Sequence, residues 1–144
     1  GAWRGYRALV LNRYLASACE GSGYDWLMSN CLFCSIIAGD IPADVVARTE
    51  HSLAFRDIDP QAPVHVLVVP LQHSADVSEL SADHEATGQL MDDAAAVARE
   101  LGLAPQADQS GFRLVLNTGA GAGQSVFHTH VHILGGRDFL WPPG

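Results

Sequence analysis

The sequence predicts an α+β domain: an antiparallel sheet of about five strands with one short and one long helix. Three observations carry that expectation. Short β-branched runs separated by turn residues read as hairpin strands, only one long amphipathic stretch is present, and the order along the chain is helix, strands, long helix, strands. A parallel doubly wound sheet needs a crossover helix between most strands, and this order does not supply them.

At 144 residues the chain holds one domain with a real core and is too short for two ordinary ones. We place that domain at residues 28–144. Residues 1–27 show no clean periodicity and are expected to be a poorly ordered extension, native or vector-derived, with Trp3, Tyr6, Tyr24 and Trp26 available for incidental packing. Its apolar run Ala8-Leu-Val-Leu11 is broken by Asn12 and Arg13, and no segment reaches the roughly 18 apolar residues of a membrane span. The formal net charge of -8 comes from 16 acids against 8 basic side chains, all arginine, which argues against nucleic-acid or anionic-membrane surfaces. A small anion can still be bound by local dipoles. Three cysteines cannot form a complete disulfide set, so a reducing compartment, the cytoplasm, is expected.

Taken in order, Cys31-Leu-Phe-Cys34 reads as two buried small residues or as half of a metal site; a redox pair requires a thioredoxin-like βαβ context absent here. Leu32, Phe33, Ile36 and Ile37 recur at helical spacing and predict the short helix, ended by Gly39 and Ile41-Pro42. Val45 to Arg48 and His51 to Asp57 form a hairpin around Thr49-Glu50, with His51 exposed at the turn. After the turn-rich connection Asp57 to Pro63, the apolar run Val64 to Pro70 is a central strand. His65 near its start is a hydrogen-bonded core group or the orienter of another imidazole.

Ser78 to Ser81 supply capping candidates for the long helix, whose apolar stripe is Thr87, Leu90, Met91, Ala94, Val97, Ala98 and Leu101. Asp83 and Glu85 suit its N-terminal dipole, and Gly102 its stop. Residues 104–111 form a loop, and Phe112 to Asn117 the penultimate strand, leaving the Asn117 amide to cap the next turn or touch a ligand. In Gly119-Ala-Gly-Ala-Gly123, followed by Gln124 and Ser125, backbone N–H groups can come close to an anion. His128, His130 and His132 then alternate with Thr129 and Val131, the period of a strand, so their imidazoles share one side. One such histidine is ordinary; three in a row beside a donor loop point to phosphate chemistry, with a zinc site as the competing reading. Gly135-Gly136 and an aromatic, proline-rich tail close the chain, a contact surface for a second copy.

These residues resemble a known family. His128-Thr-His-Val-His132 is similar to the histidine-triad motif, and roughly residues 31–144 resemble the histidine triad nucleotide-binding (HIT) proteins, specifically their HINT branch. The likeness runs through Cys31-x-x-Cys34, Ile36-Ile37, Ile41-Pro42, Leu53 to Ile58, Pro60 to Pro63, His65 to Pro70, His73, Gly123 to His128 and Trp141-Pro-Pro-Gly144.

The resemblance implies a HIT-like fold whose sheet extends across a homodimer, each subunit holding a purine nucleotide, AMP or GMP in type. It implies hydrolysis of nucleoside 5′-phosphoramidates, such as AMP-NH2 or AMP-lysine, through a nucleotidyl-histidine intermediate. His130 resembles the nucleophile, and His132 the group that binds phosphate oxygen and helps protonate the amine. His65 resembles the residue that orients His130 or accepts its proton, and Ser125 a donor to phosphate or leaving group. Asn117, Gly123, Gln124 and Ser125 resemble the phosphate-contacting set, Asp57 the ribose carboxylate, and Leu32, Phe33, Ile36, Phe55 and Ile58 the base slot; Trp141 joins the nucleotide-binding residues.

In bacterial-type members, Cys31, Cys34, His73 and His128 resemble a structural zinc site, so catalysis itself needs no cofactor. Departures from the family pattern are Thr129 at an apolar position, Leu71-Gln72 in place of a basic pair, and Arg56 and Asp59 near the ribose end. The alternatives are a nucleotide-binding regulatory or scaffold protein with vestigial hydrolysis, and a hydrolase whose metal the histidines ligate.

Overall fold

Val64–Pro70 is buried along nearly its whole length because each face of this strand meets a different apolar layer. Val66 and Val68 pack into one core cluster with Leu90, Ala94 and Val97, while Leu67 and Val69 join Phe33 and Ile36 in another. A period of two in one run of valines thus builds both cores. The computed structural model describes residues 30–105 and 111–144. The expectation of a 1–27 extension, and most of the loop expected over 104–111, lie outside the described residues.

Among the described residues the elements are, in chain order, α1 (Leu32–Ile37), β1 (Val45–Arg48), β2 (Ser52–Arg56), β3 (Val64–Pro70), α2 (Val77–Leu80), α3 (His84–Glu100), β4 (Phe112–Val115), a 3₁₀ turn (Ala120–Ala122) and β5 (Val131–Gly135). The five strands form one antiparallel sheet in the order β1-β2-β3-β5-β4, as the α+β reading expected. One face carries α3; the other carries α1 and His132, the register partner of Leu67. No helix among the described residues is long and apolar enough to cross a membrane.

Two helix caps differ from expectation. The segment containing Ser78 to Ser81 is not the start of the long helix but a separate helix, α2, capped by Asp76, whose carboxylate accepts from the amides of Ser78 and Glu79. Asp83 caps α3 instead, accepting from Ala86 N at 2.9 Å. A carboxylate serves as well as a hydroxyl at this position and adds charge at the positive end of the dipole. Gly102 ends α3 at φ +77, as its lack of a Cβ permits, and the turn delivers buried Leu103 onto β5. Its methyls stand 2.6 Å from where a Cβ on Gly135 would be, so the glycine there makes room for the seat of α3.

Candidate active site

The alternation at the end of the chain sorts side chains between two layers. Val131 and Ile133 enter the α3 core, so His132, opposite Leu67 of β3, lies on the α1 face. Only His132 is inside β5; His128 and His130 stand in the approach to it. That approach is tied down on its far side by Thr129, whose hydroxyl pairs with Ser74 Oγ at 2.7 Å and whose amide donates to Ser74 O at 2.7 Å. The polar residue at an apolar family position is therefore a buried tether. All three imidazoles are buried, at 0%, 5% and 8% exposure for His128, His130 and His132.

Hydrogen-bond partners decide where each ring carries its proton. His130 Nδ1 lies 2.7 Å from the carbonyl of His128, which only accepts, so Nδ1 holds the hydrogen and Nε2 presents a lone pair. That Nε2 has no hydrogen bond among the described residues. His65 works in the opposite sense. The Gln61 amide donates to its Nδ1 at 3.0 Å, leaving the hydrogen on Nε2, which lies 2.9 Å from His132 Nδ1. His132 consequently accepts on Nδ1 and carries its own hydrogen on Nε2. His65 therefore orients His132 rather than touching His130, a correction to the role its resemblance implied. Strand register explains this: His65 and His132 sit two positions apart across the β3–β5 pair, where the diagonal reach suits long side chains.

Burial pushes all four of these ring pKa values down, most visibly His132, to about 3, where His130 and His65 add to the burial effect. Because the folded value lies below the ordinary 6.5, the unfolded chain takes the proton first. Stability owed to neutral His132 is thus complete above about pH 7 and is lost as pH falls through 6.5 toward 3. At pH 5 this amounts to about 2 kcal/mol, and Tm should fall roughly 5–10 °C below its value at pH 7.5. His132→Asn should make that slope shallower, with His65, His128 and His130 supplying what remains. An equal slope in the variant contradicts the assignment.

Cys31, Cys34, His73 and His128 converge. Cys31 Sγ and Cys34 Sγ lie 3.4 Å and 3.5 Å from His128 Nδ1, His73 Nδ1 lies 3.4 Å from Cys34 Sγ, and the two Nδ1 atoms are 3.1 Å apart. Tetrahedral zinc, with bonds of about 2.0–2.3 Å, spaces such donors roughly 3.3–3.8 Å apart, so the quartet has the size and chemistry of a closed metal site. The Pro70 carbonyl, 2.8 Å from His128 Nε2, keeps the hydrogen there and turns the Nδ1 lone pair toward the thiols. Burial and the neighbouring Cys31 push the Cys34 thiol up to about 12, a mark of how poorly this pocket holds an uncompensated thiolate.

A cavity of ≈ 290 Å³ is lined by Phe33, Ile36, Phe55 and Ile58, four of the five residues expected for the base slot, together with Asp57. Leu32, the fifth, is not in this lining but packs partly buried against the second core cluster. Ile36 lies between Leu32 and Phe33 around the helix, and the cavity takes the Phe33 side, about 100° round from Leu32. Pro42, Ala43 and Leu67 complete the apolar wall without a periodic signal to announce them. Phe33 connects the parts: its ring stands edge-on to His130 with centroids 5.1 Å apart and to Phe55 at 5.5 Å. Asp57 is buried, pushed above the usual carboxylate range by desolvation, and its Oδ2 has no hydrogen-bond donor although His65 Nε2 is 3.4 Å away. Trp141 is 84% exposed and lies outside this lining.

The glycine loop holds one further correction. Gln124 is buried, with its Oε1 accepting from Gly119 N at 2.8 Å and its Nε2 donating to the carbonyls of Ala75 and Val126 at 2.8 and 3.1 Å. Every side-chain hydrogen is engaged, so Gln124 shapes the loop rather than reaching for phosphate. Gly119 and Gly123 adopt φ +85 and +91, which the loop's path requires. The side chains of Asn117 and Ser125 make no hydrogen bond among the described residues. Gln124→Ala should cost about 1–3 kcal/mol by stranding these partners, read as a lowered denaturation midpoint; an unchanged midpoint contradicts the tie.

The HIT domain family model matches residues 38–139. An uncharacterised HIT-like protein of Synechococcus elongatus is 45% identical over 119 residues, covering 82% of this chain and 100% of that protein. The purine nucleoside phosphoramidase of Escherichia coli K12 is 43% identical over 107 residues, covering 74% of this chain and 87% of the relative. The crystal structure of a HIT family hydrolase from Legionella pneumophila superposes with a TM-score of 0.73 at 45% identity, covering 79% and 99% of the two chains. Fold, buried imidazole row and these matches together place the chain in the HIT domain family.

Proposed function

We propose that this protein hydrolyses purine nucleoside 5′-phosphoramidates through a covalent nucleotidyl-histidine on His130. The observation that carries this reading is the unengaged lone pair of His130 Nε2, on a ring whose Nδ1 is held by the His128 carbonyl and whose edge-on neighbour, Phe33, lines an apolar cavity. In this mechanism the base occupies the cavity and the ribose hydroxyls donate to Asp57, whose orphaned buried Oδ2 suits them. His130 Nε2 attacks the α-phosphorus as the P–N bond breaks. His132, with its hydrogen on Nε2, binds a phosphate oxygen, and the nitrogen takes up one proton on the side of His132 and Ser125 to leave as a neutral amine. Water then attacks phosphorus, releases His130, and restores that proton. The glycine loop amides and Asn117 supply further donors to phosphate. The E. coli relative's name supports the substrate class.

We further propose a structural zinc ion held by Cys31, Cys34, His73 and His128. Two thiolates and two imidazoles saturate it, so it ties α1 to the histidine segment and supplies no activated water. A homodimer is proposed from β4, which ends the sheet, and from exposed Leu140 and Trp141 at the tail. Free Cys31 and Cys34 fit a reducing compartment such as the cytoplasm.

A second reading, metal-dependent hydrolysis, draws on the donor atoms of Asp57, His65 and His132 lying within 4.8 Å of one another. The hydrogen on His65 Nε2 opposes it, because a protonated nitrogen is no ligand. Assaying AMP-NH2 with and without a chelator tests the proposal: release of AMP and ammonia that survives chelation is expected, and loss of turnover restored by added metal overturns it.

A further inference from the structure

We infer that Asp44 reads the base and makes the cavity select guanine over adenine. This rests on the reading above that the cavity receives a purine. The wall is apolar except for three charged residues, Asp44, Arg56 and Asp57. Asp57 is the innermost, its side chain 1% exposed, and is matched to the ribose. A purine placed in such a cavity still carries a polar edge, and an apolar pocket sets orientation and selectivity through the few polar groups it does contain. Those groups are Asp44 and Arg56. They are rim neighbours by construction of the sheet, since the Arg56 amide donates to the Asp44 carbonyl at 2.9 Å.

Their side chains meet through one contact, Arg56 Nε to Asp44 Oδ2 at 3.5 Å, and are 48% and 71% exposed. An open, single-contact ion pair is worth little, so its carboxylate exchanges partners readily. With the sugar anchored at the buried end, the far edge of the base lies toward the rim where Asp44 stands. Guanine offers two adjacent donors on that edge, N1–H and the exocyclic N2–H, which the two oxygens of a carboxylate accept together. Adenine offers a donor at N6 but a lone pair at N1, and a carboxylate beside that lone pair is repelled. Hypoxanthine keeps N1–H and lacks the amino group. The predicted order is therefore GMP, then IMP, then AMP.

The test measures Kd for the three nucleotides with the full chain, in wild type, Asp44→Ala and Asp44→Asn. Asp44 is at the surface, so both variants should retain the wild-type Tm. Wild type is expected to favour GMP over AMP by about tenfold, near the low end for a bidentate contact because the rim is wet. Asp44→Ala should bring the ratio near one. Asp44→Asn should shift it toward AMP, because an amide presents one acceptor to N6–H and one donor to N1. A GMP to AMP ratio unchanged across the three proteins overturns the assignment while leaving the cavity a purine site. Failure of wild type to bind any of the three overturns the base-site reading as well.

Discussion

His130→Ala should lose phosphoramidate turnover by on the order of 10⁴-fold or more while binding AMP or GMP within a few-fold of wild type. The size of the effect follows from the absence of a substitute. His128 directs its lone pair at the thiols and His132 carries its hydrogen on the nitrogen left free by His65, so neither ring can attack phosphorus from its resting tautomer. Binding survives because the cavity wall and Asp57 are elsewhere. His130→Gln fills more of the ring's volume and should show the same loss with a wild-type Tm, separating chemistry from stability. Turnover within tenfold of wild type in both variants removes His130 as nucleophile.

The second large effect concerns the metal quartet. Cys31→Ser, or stripping with a chelator, should remove one zinc per chain by elemental analysis and lower Tm by roughly 10 °C or more, because binding energy at a closed site is folding energy. Cys31 also caps α1, accepting from Cys34 N at 3.4 Å, so losing the site loosens the helix that brings Phe33 to His130. Below that lowered Tm, the metal-free protein should still turn over substrate. A protein purified under reducing conditions with no zinc above the buffer background and an unchanged Tm on chelation would contradict the structural assignment.

Much of this was legible in local pattern. The period of two in Val64–Pro70 and the alternation of His128 to His132 are short-range patterns that survive folding, and they predict the central strand and the row of imidazoles. The apolar residues Phe33, Ile36, Phe55 and Ile58 were recoverable only through the family likeness, because helical spacing by itself reads as core. What local pattern does not carry is which distant atoms meet. That His65 faces His132 depends on the β3–β5 register, and that Gln124 reaches Ala75 depends on where the chain leaves β3. The tether at Thr129 carries no local signal because its partner Ser74 is 55 residues away. Asp76 and Asp83 outcompeted the serines between them once α2 formed as a separate turn.

The most direct test is rapid quenching of the protein during turnover of a nucleoside phosphoramidate, with chelator present, followed by peptide mass spectrometry. The account predicts a nucleotidyl adduct localised to His130 by fragmentation of its peptide, formed and consumed at rates that match turnover. Steady turnover with no adduct on any histidine, or an adduct on His128 or His132 instead, contradicts it.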